Sequence, residues 1–289
     1  MSPASYQTAP PRNVWMRLSA IYKDTHYLRP CQTAPHNREI LSTSPCARHQ
    51  YCPRKNYAKS YNQHYAKATS ISQSNNLRED FSMTMRITSL LIGYVLGCFL
   101  TADVVSYTFA HKSAFDVGVG NPGMANIGHE LGKKAALLVL AGDIAKTIAG
   151  WLIARALYPD VALLAGMWAG LGATLGHNYP IWHRFCGGKG VTTTCSAIIL
   201  ASPLLGIGSC LFGLLAVILS GYLCVGAVAI CVCWLALVAT IHMSAEFFLI
   251  ALALLVLMVI AHGSTLRGIS SGSTARAGIS TKIRGILHR

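Results

Sequence analysis

Gly176-His177-Asn178-Tyr179-Pro180-Ile181-Trp182-His183-Arg184-Phe185-Cys186-Gly187-Gly188-Lys189-Gly190-Val191-Thr192 joins two long apolar segments of the chain. Within it Gly187, Gly188 and Gly190 surround a single lysine. Glycine lets backbone N–H groups come close to an anion, and Lys189 adds a full positive charge, a combination that suits a phosphate. The order is not that of a Walker loop, which needs four residues between its first glycine and Gly-Lys-Ser/Thr. A glycine-rich turn whose Lys189 and Arg184 reach toward lipid headgroups accounts for the same residues, and spacing alone leaves both readings open.

The flanking segments decide the fold. A helix needs about 20 apolar residues to cross a hydrocarbon core of ~30 Å. Upstream, Ile87 to about Ala110 meets that length with Asp103 as its one charge, and Ala135 to about Tyr158 meets it while carrying Asp143 and Lys146. Val161 to about Leu175 is a shorter third span. Downstream, Thr193 to Ser220 is long for one span, and Pro203 is expected to kink or break it into two half-spans. Tyr222 to Ile241 and Glu246 to Ala261 complete the series. We read an all-α, polytopic integral membrane helical bundle of about seven helices, within limits of five to seven. Asp143 and Lys146 are three residues apart, share a helix face and can pair. Such a pair in a span faces the bundle interior or a water-filled site, as a structural lock or as functional machinery.

The tail from His262 carries Arg267, Arg276, Lys282, Arg284 and Arg289 and no acidic residue. Excess Lys and Arg marks the cytoplasmic face. Arg184 and Lys189 agree with it, as do Lys112, Lys133 and Lys134 near the loop His111 to Lys134. Both loops and the tail are therefore expected to be cytoplasmic in a cell inner (plasma) membrane, with residues near Met85 outside. This requires Thr193 to Ser220 to turn back on itself.

Residues 1–82 differ in kind. They are rich in Ser, Asn, Gln, Tyr, Pro and Arg without a sustained period, and are expected to be disordered because they cannot bury enough apolar surface. No apolar core of about 7–15 residues marks a signal peptide. Asp24, Glu39, Glu79 and Asp80 argue mildly against an organelle transit peptide. Met83 and Met85 stand just before the first apolar run, so translation is expected to start at one of them and residues 83–289 to form the membrane domain.

Composition excludes other classes. With 53% hydrophobic and 12% charged residues, the chain is not an ordinary soluble domain. Its net charge of +14 is shared between the N-terminal stretch and the loops and tail, which fits lipid and orientation better than nucleic acid. Cys98, Cys195, Cys210, Cys224, Cys231 and Cys233 lie in apolar segments, where cysteine behaves as a small hydrophobe. Cys231 and Cys233 are too close for a zinc knuckle, and Cys31, Cys46 and Cys52 lack matching histidines, so no metal is expected.

At three places the residues resemble a known family, the bacterial membrane acyltransferases of the PlsY type, which move an acyl chain from acyl phosphate to glycerol 3-phosphate. The run from Gly176 to Thr192 is close to that family's GHxxPxFxxFxGGKGVAT pattern. Asp116 through Gly123 with Asn126 is similar to its D…GSGNPGATN loop, and Asp143 with Lys146 to its DxxKG element, with Thr147 in place of the usual glycine. The resemblance covers about Ile87 to the C-terminus. Departures fall mainly on the presumed acceptor side: Val119 stands for a serine, His129 for an arginine, and Thr265 and Thr274 for the Asn and Glu of a HRENIxRLxxGTE-like run that corresponds best to His262 through Thr274.

The resemblance implies acyl transfer to the sn-1 hydroxyl of glycerol 3-phosphate, giving lysophosphatidate and phosphate. Under that implication Gly187, Gly188 and Gly190 cradle the acyl phosphate and Lys189 offsets its charge. His177 hydrogen-bonds a reacting oxygen, as proton acceptor or as phosphate donor, while the substrate's own phosphate can serve as base. Lys146 helps hold phosphate and Asp143 orients it. Asn121, Asn126, His129 and Asn178 are the remaining substrate contacts, although Asn121 before Pro122 also reads as a turn residue. No cofactor is implied. The partners are acyl phosphate, glycerol 3-phosphate and membrane lipid. Competing readings are a divergent paralogue with an altered acceptor or no transfer activity, and a small transporter in which Asp103, Asp143, Lys146 and the break at Pro203 line a path.

Overall fold

In the computed structural model residues 79–241 and 244–277 are described. Of the expected extension 1–82, residues 1–78 lie outside them, as do the last basic residues of the tail, while residues 79–82 are helical. Every regular element among the described residues is a helix. In chain order the α-helices are α1 (residues 79–97), α2 (Thr101–Ala110), α3 (Met124–Leu131), α4 (Lys133–Leu157), α5 (Ala162–Asn178), α6 (Val191–Ala201), α7 (Pro203–Ser220), α8 (Leu223–Thr240) and α9 (Ala245–Ser270), with short 3-10 turns between some of them.

Among the described residues five helical segments are long and apolar enough to cross a membrane: Glu79–Ala110 taken across its break, α4, α7, α8 and α9. α5 has 17 residues and α6 has 11. The chain forms an all-α membrane bundle. Large apolar side chains such as Leu91, Val95, Leu137, Leu152, Leu215 and Ile260 point outward, as a lipid-facing surface requires.

Two breaks shape the site. The first expected span is interrupted at residues 98–100, with Leu100 extended as the N-cap of α2. The amide of Asp103 turns to Leu100 O, which leaves the Phe99 carbonyl outside the helical ladder. The second break falls where proline directs it. Ser202 is extended at φ −152°, ψ 99° and Pro203 opens α7, because the residue before proline avoids helical geometry and proline suits the first helical position. At ~1.5 Å per residue α6 is roughly 16 Å long, about half the apolar slab.

Contacts fix which ends lie together. Lys189, just before α6, bonds to Thr265 near the end of α9. Gly221, just after α7, accepts from Ala277. Residues 191–220 thus leave and rejoin the same end of the bundle as the C-terminal segment. At the opposite end Phe81 stacks edge-on against Tyr158 at 5.9 Å, and Arg86 forks onto Glu246, Nε to Oε1 at 2.6 Å and Nη2 to Oε2 at 3.0 Å. Trp168 Nε1 donates to Glu246 Oε1 at 2.7 Å, so α1, α5 and α9 are pinned at one point.

α1 and α5 touch through their backbones. A Cβ on Gly93 or Gly97 would strike the Ala169 or Ala173 carbonyl, and one on Gly172 or Gly176 would strike Leu90 O or Tyr94 O. Small residues every fourth position permit this approach without a side-chain layer. Tyr94 Oη donates to Tyr179 O at 2.9 Å, so the crossing also holds the chain as it leaves α5 for the glycine turn. Below, Trp151, Met167, Ile198, Trp234, Phe247 and Leu254 from five helices form the main apolar core.

Candidate active site

The centre of the site is a buried ammonium group. Lys146, on α4, is 6% exposed, and three acceptor atoms lie within 3.0 Å of its Nζ. They are Phe99 O at 2.8 Å, Asp143 Oδ1 at 2.9 Å and His177 Nδ1 at 3.0 Å. The first and last are hydrogen bonds, and the Asp143 contact is a close ion pair in which Oδ1 makes no hydrogen bond. Asp143 is its buried counter-ion, and Thr147 Oγ1 donates to the Asp143 carbonyl at 2.8 Å. The helix break at Phe99 supplies the third acceptor.

The glycine turn wraps the end of α5. Gly188 N–H donates to His177 O at 2.9 Å. A Cβ on Gly187 would fall on the same carbonyl, and one on Gly188 would fall on His177 Nε2. The glycines are there because the turn lies directly on His177. Gly190 is left-handed at φ +72° and a Cβ there would strike Asn178 Oδ1, so it is glycine for both conformation and space. Both polar atoms of the Asn178 amide are buried without a partner among the described residues. Gly190 is also the N-cap of α6, whose first N–H groups and positive dipole end therefore face the turn.

Lys189 points away from α5 and donates to Thr265 Oγ1 at 2.9 Å. Burial pushes its ammonium pKa below the usual lysine value. Thr265 is held in turn, because Thr274 Oγ1 donates to its carbonyl at 2.7 Å. Beside it His262 is buried with Nδ1 3.1 Å from Met258 O.

The first loop meets the glycine turn at Phe115 and His183, whose rings are 5.4 Å apart. These two, with Trp182, Arg184 and Cys186, line a surface cleft of about 270 Å³. Asn126 is buried and fully engaged: its Oδ1 accepts from Val119 N at 3.0 Å, and its Nδ2 donates to Val117 O at 2.8 Å and Asn121 O at 3.0 Å. It shapes the loop. Asn121 likewise serves the turn, accepting from Gly123 N at 2.8 Å. His129 is exposed and paired with Glu130 at 2.7 Å, so the structure does not bring it to the site. Asp103 ties the loop down by accepting from Ser113 Oγ and Ala114 N, both at 2.8 Å.

The structure therefore gathers Asp143, Lys146, His177, Asn178, Gly187, Gly188 and Gly190, with Lys189 at the rim. Sequence reading missed the roles of Phe99 and Glu130, and no local signal marks either one. It had placed Thr265 only as a departure from a motif, where a lysine contact is now visible.

The profile described as glycerol-3-phosphate acyltransferase matches residues 87–272. A protein of Lactobacillus johnsonii named glycerol-3-phosphate acyltransferase 1 is 44% identical over 131 residues, 45% of this chain and 63% of its own length. A glycerol-3-phosphate acyltransferase of Thermoanaerobacter is 29% identical over 198 residues, 68% of this chain and 98% of its own. Among solved structures, PlsY, an integral membrane glycerol 3-phosphate acyltransferase in its glycerol 3-phosphate form, superposes with a TM-score of 0.61. It is 24% identical, over 68% of this chain and 98% of that one. Its lysophosphatidic acid form gives 0.59 at 23% identity, covering 67% and 95%. At that identity these likenesses speak to the fold.

Proposed function

We propose, from the premise that this chain belongs to the glycerol-3-phosphate acyltransferase family, that it transfers an acyl group from acyl phosphate to the sn-1 hydroxyl of glycerol 3-phosphate. The observation that carries this reading is the half-buried Lys189 ammonium in a glycine turn at the N-terminus of α6. A helix N-terminus and a nearby cation suit a phosphate. An acyl phosphate is a mixed anhydride, already activated. The acceptor oxygen bonds to the acyl carbon, the carbon–oxygen bond to phosphate breaks, and the hydroxyl proton passes to the departing phosphate. The protein has to position two anions and stabilise charge on the leaving group.

In this reading Lys189 and the remaining amides of Gly187, Lys189 and Gly190 hold the donor phosphate, and the unpartnered Asn178 amide lies behind Gly190 as a further polar contact. His177 faces the turn through Nε2. The basic residues gathered at this end support its placement on the cytoplasmic side of the cell inner membrane. The buried charges Asp143 and Lys146 face each other and Asp103 anchors a loop, an arrangement that favours a closed site over a transport path.

The test is purified protein in detergent with acyl phosphate and glycerol 3-phosphate. Lysophosphatidate and phosphate should form, and Lys189→Ala should remove the activity by roughly 10- to 150-fold, as loss of one charged hydrogen bond implies. Hydrolysis of acyl phosphate without transfer would assign a different acceptor, and solute flux in liposomes without transfer would assign a transporter.

A further inference from the structure

We propose that Lys146 is a positioning residue that fixes the tautomer of His177, so that this histidine acts through an Nε2–H donor and not as a base. A lysine ammonium has no acceptor. His177 Nδ1, 3.0 Å from Lys146 Nζ, must therefore accept, and in a neutral imidazole the proton then sits on Nε2. Asp143 does not compete for it: its Oδ1 is 3.6 Å from Nδ1, beyond hydrogen-bond reach. The ammonium is itself oriented by Asp143 and by the Phe99 carbonyl that the break between α1 and α2 exposes. Nε2 has no hydrogen-bond partner among the described residues and lies against Gly188, where any side chain would cover it. The buried chain from Asp143 through Lys146 to His177 thus presents one N–H to the glycine turn. This inference rests on the transferase reading for its consequence. There the N–H stabilises an oxygen on which negative charge develops, and the acceptor proton leaves with the released phosphate.

Nitrogen-15 NMR of histidine-labelled protein in micelles, with the His177 signals identified by their loss in His177→Gln, reads the tautomer without any assay of turnover. Nε2 should be protonated and Nδ1 not, and Lys146→Met should abolish that preference. In turnover, His177→Gln, whose amide nitrogen can stand at the Nε2 position, should keep activity within about tenfold. His177→Asn, with its nitrogen near Nδ1, should fall roughly 100- to 1,000-fold, the loss seen when a donor to a developing anion is removed. An Nδ1-protonated His177 in the unmodified protein overturns the proposal, as does a Gln variant no better than the Asn one. An inactive unmodified protein that shows the Nε2–H tautomer overturns the transferase reading and supports the tautomer assignment. Should Lys146→Met fail to fold, the unmodified spectrum and the Gln and Asn pair decide.

Discussion

Breaking the Asp143–Lys146 pair should cost far more than removing it altogether. The two groups are 2% and 6% exposed and 2.9 Å apart, inside the helix bundle. Deleting one partner of a buried pair leaves the other uncompensated, at about 3–5 kcal/mol. Asp143→Leu alone and Lys146→Met alone should each lower the midpoint of thermal unfolding by roughly 6–20 °C, taking about 2–4 °C per kcal/mol for a domain of this size. The double variant buries no charge. It still strands the Phe99 carbonyl, a desolvated acceptor worth about 1–3 kcal/mol, and takes the donor from His177 Nδ1, so it should sit below the unmodified protein but well above the sum of the two single losses. The assay is a double-mutant cycle in one detergent, read by tryptophan fluorescence. A coupling near zero, with the double variant falling by the sum of the singles, would refute the account of this cluster as one electrostatic unit. The recovered double variant should still turn over poorly, since nothing then sets the His177 ring.

Other consequences are simpler to check. Gly176→Val places a branched side chain against Tyr94 O where the α1 and α5 backbones touch, and overpacking of this kind should cost about 1–3 kcal/mol, visible as a lower unfolding midpoint. His129→Ala should change glycerol 3-phosphate turnover by less than about twofold, because an exposed side chain paired on the surface contributes within ±0.5 kcal/mol; a large rise in KM would put His129 back among the ligands. Burial lowers the Lys189 pKa, so its charge is present at low pH and is lost, as pH rises, earlier than for a free lysine. Phosphate affinity should accordingly weaken on the alkaline side, and Lys189→Arg should move that limb to higher pH, measured as KM for acyl phosphate across pH.

Much of the bundle was legible because lipid demands length and apolarity, properties carried by the sequence itself. The spans around α4, α8 and α9 and the break at Pro203 follow from hydropathy and from proline's geometry. The break at residues 98–100 was not legible, since Cys98, Phe99 and Leu100 are ordinary apolar residues and only the tertiary contact with Lys146 gives Phe99 O a role. α9 runs on to Ser270, past the apolar edge at Ala261, because its last turns rest against Lys189 and the 271–274 turn. In the site, spacing made Asp143 and Lys146 a pair but could not count the acceptors around Nζ. Asn126 shows the same limit: an asparagine that holds a ligand and one that holds its own loop have identical letters, and only its three hydrogen bonds separate them. Arg86 and Glu246 are 160 positions apart, and nothing local in either neighbourhood announces the other.

The short arm ending at Ser202 has a consequence for how the protein is made. A segment of 11 residues cannot be released sideways into the bilayer as an independent stop, so α6 has to wait at the insertion machinery until α7 emerges and the two fold down together as a wedge. The glycine turn then settles onto an α5 already seated against α1, and Lys189 meets Thr265 only when α9 has arrived.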